Sequence, residues 1–168
     1  MKCDTSIIAA KRHRMDLPHR PKRIVIPPIW FALGLTAIFL FDRFFPPSNF
    51  SGPVAVGLGV VLILLGLASA ISAAGLFRKA DTGIVPFSEA TTLVTSGAFR
   101  FSRNPMYLGM VFVLLGTALI VGSVAGLLVA PIFLLIIQYR FILDEERMMH
   151  DVFGKEFEEY RSRVRRWL

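Results

Sequence analysis

The sequence predicts an all-α integral membrane protein with about four transmembrane helices. The last two form a tight hairpin, and a cytosolic loop and an amphipathic C-terminal helix complete the fold. Three observations carry this. The chain is 54% hydrophobic and only 18% charged, with a mean hydropathy of +0.60, far above ordinary soluble domains. Residues 24–41, 54–77 and 106–139 contain no charged side chain. The 19 Lys and Arg fall in blocks, seven before Ile24, one at Arg43, four between Arg78 and Arg103, and seven from Arg140 onward.

About 20 apolar helical residues cross a bilayer, so the three windows hold spans near 24–43, 53–77, 106–121 and 124–143. The blocks of basic residues obey the positive-inside rule for a multi-pass protein with both termini cytoplasmic. That placement accounts for the net charge of +7 without a nucleic-acid partner, and it favours contact with anionic headgroups of the lipid bilayer.

Residues 1–23 form a basic cytosolic arm, and 24–168 a single membrane domain. The arm has no apolar core of secretory-signal length before its charges begin. Cys3 is the one cysteine, so neither a disulfide nor a cysteine metal cluster is expected. His13, His19 and His150 lack metal-ligand spacing, and no metal is expected. Pro27-Pro28 opens the first span and Trp30 lies at aromatic-belt depth. Phe44-Phe45-Pro46-Pro47-Ser48-Asn49 closes that span in a short outer loop. The second span is rich in small residues, among them Gly59, Gly66, Ser69, Ala70 and Ala73, which favours close helix packing over a backbone-lined ligand slot.

The loop over 78–105 is polar and irregular, and long ordered loops tend to carry binding work. It ends in GAFRFSRNPMYLG, residues 97–109. Asn104-Pro105 has the form of a helix start, with Asn as N-cap and Pro at the first helical position. Arg100 and Arg103 stand just before it, where free N–H groups and the positive dipole end favour an anion such as a carboxylate or phosphate. Simple snorkelling of both arginines is the competing reading.

Gly122-Ser123 supplies the turn of the hairpin. Asn104 lies about eighteen residues before that turn and Glu145 about twenty-two after it, so at about 1.5 Å per residue both return to one membrane face. Arg103, Asn104, Pro105, Met106 and Tyr107 thus come beside Arg140, Asp144, Glu145 and Glu146. Three consecutive acids near a helix C-terminus need a positive or hydroxyl-bearing partner. Arg147 or an arginine of the tail meets that need, as does a ligand with a ribose diol or a cationic centre. Residues 144–166 place Met148, Met149, Val152, Phe153, Phe157, Tyr160 and Val164 at helical spacing among charges, an amphipathic helix with Gly154 as its weak point.

LVTSGAFRFSRNPMYLG, the hairpin, and then DEERMMHDVFGKEFEEYRSRV together resemble the isoprenylcysteine carboxyl methyltransferase and phospholipid methyltransferase superfamily of integral membrane enzymes. The resemblance covers about residues 91 to 166. It implies use of S-adenosylmethionine, with S-adenosylhomocysteine as product, and methyl transfer to a lipophilic small molecule or lipidated substrate. It implies cofactor contacts from Thr91, Thr92, Leu93, Val94, Phe99, Asn104, Pro105, Met106, Tyr107, Glu145 and Glu146. Arg140, Arg103 and Tyr107 are the catalytic candidates.

Asn104 stands where many members have His. Gly66-Leu67-Ala68 only approximates the glycine pair of the amine-methylating branch. A gapless count puts Phe141, next to Arg140, where the carboxyl-methylating branch has a substrate-facing arginine. The bottom-up reading agrees with the cofactor, since its carboxylate suits Arg103 and the helix start, its ribose suits Glu145 and its adenine suits Phe99 with the Leu93-Val94 edge. An NADPH-dependent membrane reductase of the sterol or enone type and a non-enzymatic anionic-lipid-binding protein are the alternatives.

Overall fold

The computed structural model describes residues 27–44, 52–79 and 93–168, the side chains of Phe77 and Lys79 excepted. These residues are mostly helical, with no strand among them. The basic arm, the outer loop and the stretch containing Thr91 and Thr92 lie outside the described residues. Three helical stretches, Pro27–Phe44, Pro53–Leu76 and Val124–Phe153, are long and apolar enough to cross a membrane, and Pro105–Val121 is a shorter apolar helix beside them.

Helix α1, Pro27–Phe44, starts on a proline that has no N–H to leave unsatisfied. Its inner face carries Ile38, which is fully buried, while Leu33, Phe39, Leu40 and Phe44 are exposed. Helix α2, Pro53–Lys79, has an outer face of Val54, Leu58, Val61, Leu64 and Ile71, all exposed. So continuous an apolar surface has no stable place in water, and lipid is the solvent it matches.

The small residues of α2 pack against helix α3, Pro105–Val121. A Cβ on Gly66 would stand 2.5 Å from the Gly109 carbonyl oxygen, and one on Gly109 would stand 2.5 Å from that of Gly66. Gly59 and Gly116 oppose each other in the same way, at 2.6 and 2.5 Å. The pairs run in opposite senses along the two helices and recur every seven residues, the antiparallel heptad spacing that keeps one seam in contact. Gly66 therefore serves packing here, and the close-packing reading of the second span holds.

Gly122, in the left-handed region at φ 78°, ends α3, and the Ser123 hydroxyl accepts the Gly126 N–H at 3.0 Å to start the return. The return begins as helix α4, Val124–Leu127, and continues as α5, Val129–Ile137. Pro131 explains the break between them, since its ring crowds the carbonyl four residues back at Leu127. A π-helical turn over Gln138–Ile142 follows. The extra residue of such a turn rotates all later side chains by roughly 100° relative to an uninterrupted α-helix, and so aims the acids that follow. The rod then runs into α6, Leu143–Phe153. The acids expected at a helix C-terminus are thus in the first turn of a continuing helix.

The helix expected over 144–166 is interrupted at its anticipated weak point. Gly154, at φ 50°, breaks it, and a second helix, α7, covers Lys155–Arg163. Residues 164–168 then leave the helix and return toward the start of α3. Two cores result. One joins α1, α3, α5 and the π turn around Ile38, Leu114, Phe133, Ile137 and Ile142, with Phe31 edge-on to Phe133 at 6.4 Å. The other joins Ala73 of α2, Phe99, Phe157 and Tyr160.

Candidate active site

The site is built where α3 begins and the return arm of the hairpin ends. Gly97, at φ 59°, opens a 3-10 turn over Gly97–Arg100, and a Cβ there would meet Leu76 Cδ1 at 2.7 Å. The turn drives Phe99 into the second core, where its ring is 6% exposed and its carbonyl accepts the Tyr160 hydroxyl at 2.8 Å. Burial pushes that phenol up to about 12, with Arg103 opposing, so Tyr160 remains a donor at any ordinary pH. Leu93, Val94 and Met106 pack against the same core. Phe99 thus packs in one core with Phe157 and Tyr160 of α7.

Asn104 is the N-cap and Pro105 the first residue of α3, as expected, but the Asn104 side chain makes no cap hydrogen bond. The Asn104 amide donates through Nδ2 to the Arg166 carbonyl at 3.0 Å, and its backbone N–H donates to Ser102 Oγ at 3.1 Å. The buried Ser102 hydroxyl donates to the same Arg166 carbonyl at 3.2 Å. The tail thus holds the amide by its donor end, while Oδ1, the atom a cap would use, makes no cap bond. On the other side, the Ser69 hydroxyl of α2 donates to the Pro105 carbonyl at 2.8 Å.

The counting argument across the hairpin holds at atomic distance. The Tyr107 hydroxyl donates to Glu145 Oε1 at 2.8 Å. Glu146 receives two cations: Arg166 donates from Nε to Oε1 at 2.9 Å and from Nη2 to Oε2 at 2.6 Å, while Arg103 Nη2 reaches Oε1 at 3.2 Å. The partner that the acids required is therefore an arginine of the tail, with Arg147 joining only Asp144, at 3.4 Å. The hydrogen bonds to Glu146 raise Arg166 above its ordinary value, whereas burial lowers Arg103, with Glu146 opposing.

Arg103 is the unusual member. Its side chain is 9% exposed, yet Nε and Nη1 are buried with no hydrogen-bond partner among the described residues. A buried charged donor without an acceptor is costly, and such groups mark places where a further group belongs. Arg140 lies exposed on the π turn beside the buried Phe141.

Among the described residues no cluster of His, Cys, Asp or Glu suits a metal. A family model described as phospholipid methyltransferase matches residues 54–156, from the first turn of α2 to the first turn of α7. The chain belongs to the phospholipid methyltransferase family. The protein is accordingly a membrane methyltransferase. It is similar to an uncharacterized protein of Haemophilus influenzae, at 38% identity over 63 residues, which are 38% of this chain and 100% of that relative. Within the matched region of the methyltransferase fall Arg103, Asn104, Tyr107 and both glutamates.

The site roles of Ser69, Ser102, Gln138, Tyr160 and Trp167 were not foreseen in the sequence, whereas a tail arginine, here Arg166, was. A polar Gln138 inside an apolar window was the one visible signal, because its amide accepts the Trp167 indole N–H at 2.9 Å.

Proposed function

We propose that this methyltransferase moves a methyl group from S-adenosylmethionine to a lipophilic acceptor, an isoprenylcysteine-type carboxylate or a phospholipid-type amine, at the cytosolic membrane boundary. The observation that carries the reading is the pair of unpartnered Arg103 donors, Nε and Nη1, at the start of α3, joined through Glu146 to the glutamate that Tyr107 holds.

The donor set suits the cofactor. Arg103 Nε and Nη1 are two donors on different edges of the guanidinium, each able to give a charge-assisted hydrogen bond to a carboxylate. Glu145 accepts hydroxyls of a ribose, and Tyr107, bonded to one of its oxygens, fixes the plane of the group. Asn104, Pro105 and Met106 line the step between the two. Leu93 and Val94, at the margin of the second core, offer an apolar edge for a base.

S-adenosylmethionine brings an electrophilic methyl group on a sulfonium, so the reaction asks of the protein alignment and dryness more than acid–base chemistry. Arg103 and Glu145 would fix the two ends of the ligand, while the packed hairpin excludes water from between them. Arg140, at the bilayer boundary, is placed to attract the head of an anionic acceptor whose chain stays in lipid.

Calorimetric titration of S-adenosylhomocysteine into the detergent-purified protein tests the reading. Binding is expected for the wild type and a loss of about tenfold or more for Glu145→Ala, since a charge-assisted bond is worth about 1.5–3 kcal/mol. No heat from folded wild-type protein would overturn it. Labelled cofactor incubated with total membrane lipids then identifies the acceptor by the product formed.

A further inference from the structure

The last five residues cross the site, and they lie beyond the segment that the family model matches. Arg103 N–H donates to the Arg165 carbonyl at 3.0 Å. The Arg166 carbonyl accepts from both Ser102 Oγ and Asn104 Nδ2. Trp167 packs against the hairpin core, and its indole holds Gln138. The backbone of the tail is therefore fixed to the loop before α3, and its last aromatic to the π turn of the return arm.

The consequence turns on a contest for one carboxylate. Glu146 has two oxygens, and two guanidiniums approach it. Arg166 takes both oxygens with a forked contact at 2.9 and 2.6 Å, which leaves Arg103 a single, longer one at 3.2 Å. A forked pair is the preferred arrangement of guanidinium and carboxylate. Without Arg166, Arg103 would turn to make that fork itself, pairing Nη2 with Nε or Nη1, and one of its free donors would be consumed.

We propose that Arg166 is a positioning residue of the methyl-transfer site: by occupying Glu146 it keeps the Nε and Nη1 donors of Arg103 free for the carboxylate of the cofactor, and Trp167 secures it there through Gln138. The inference rests on the methyltransferase reading above. It assigns the tail a role in recognising the amino-acid end of the ligand and none toward the nucleoside.

Two ligands separate these roles. S-adenosylhomocysteine carries the carboxylate, and 5′-methylthioadenosine has the same nucleoside and sulfur without the amino-acid end. Calorimetry on the full-length protein is expected to show Arg166→Ala weakening S-adenosylhomocysteine about tenfold while 5′-methylthioadenosine changes less than about twofold. Arg166→Lys should restore part of the loss, because a lysine neutralises Glu146 without the fork. Equal weakening of both ligands, or none of either, overturns the proposal.

Should Arg166→Ala fail to fold, Arg166→Lys and Trp167→Phe decide by the same criterion. A selective loss supports the role, and a uniform loss or none refutes it. Wild-type protein that binds neither ligand overturns the methyltransferase reading itself, and this inference with it. Wild-type binding with uniform losses in the variants overturns this inference alone.

Discussion

Tyr107 contributes to the site through one bond, from its hydroxyl to Glu145 Oε1. The ring is otherwise a core residue beside Val111 and Phe141, so Tyr107→Phe keeps the packing and removes only the tether. The expected outcome is a folded protein with a thermal midpoint within a few degrees of wild type and about tenfold weaker S-adenosylhomocysteine binding, read by calorimetry. Full affinity would show that Glu145 needs no such support. This pair was legible in the sequence because both residues sit on helices whose lengths can be counted from one turn. Arg166 and Trp167 were not. They follow a helix break at Gly154 and lie in irregular chain after α7, where no period says which way the tail runs. Asn104 was half legible, as Asn-Pro marks a helix start but cannot reveal that a carbonyl sixty-two residues away holds its Nδ2.

Helices α2 and α3 touch through their backbones, and that seam carries a sharp prediction. Gly109→Ala would put a methyl 2.5 Å from the Gly66 carbonyl oxygen, which belongs to backbone and cannot step aside. The helices must separate, at a cost of about 1–3 kcal/mol. A thermal scan in detergent should show a clearly lowered midpoint, whereas Leu64→Val on the exposed face of α2 should leave it unchanged. An unaltered midpoint for Gly109→Ala would mean that the two helices are not in register. The spans themselves were readable from charge-free windows, and the hairpin from Gly122-Ser123. The π turn was not, because one surplus residue in a helix leaves composition and hydropathy as they were. The break at Leu128 was readable in principle from Pro131, although one proline within an apolar run is often absorbed by a kink.

The distribution of Lys and Arg makes an orientation testable for the molecule as a whole. We propose both termini and the site on the cytosolic side, with Arg43 at the outer end of α1. In a Cys3→Ser background, an impermeant maleimide applied to intact cells should label Arg43→Cys and spare Arg163→Cys, and the reverse pattern would invert the topology. Which residues share a side follows from charge counting, but how far each end protrudes does not, since that depends on helix length against bilayer thickness. Helix α3 has 17 residues and is about 26 Å long, against about 30 Å of hydrocarbon. A membrane that meets both of its ends must dip, and the headgroup plane comes down to Arg103 and Tyr107. A substrate with a greasy tail can then present its polar head at reaction depth while staying dissolved among its neighbours. Turnover in reconstituted vesicles should accordingly decline as the host acyl chains are lengthened.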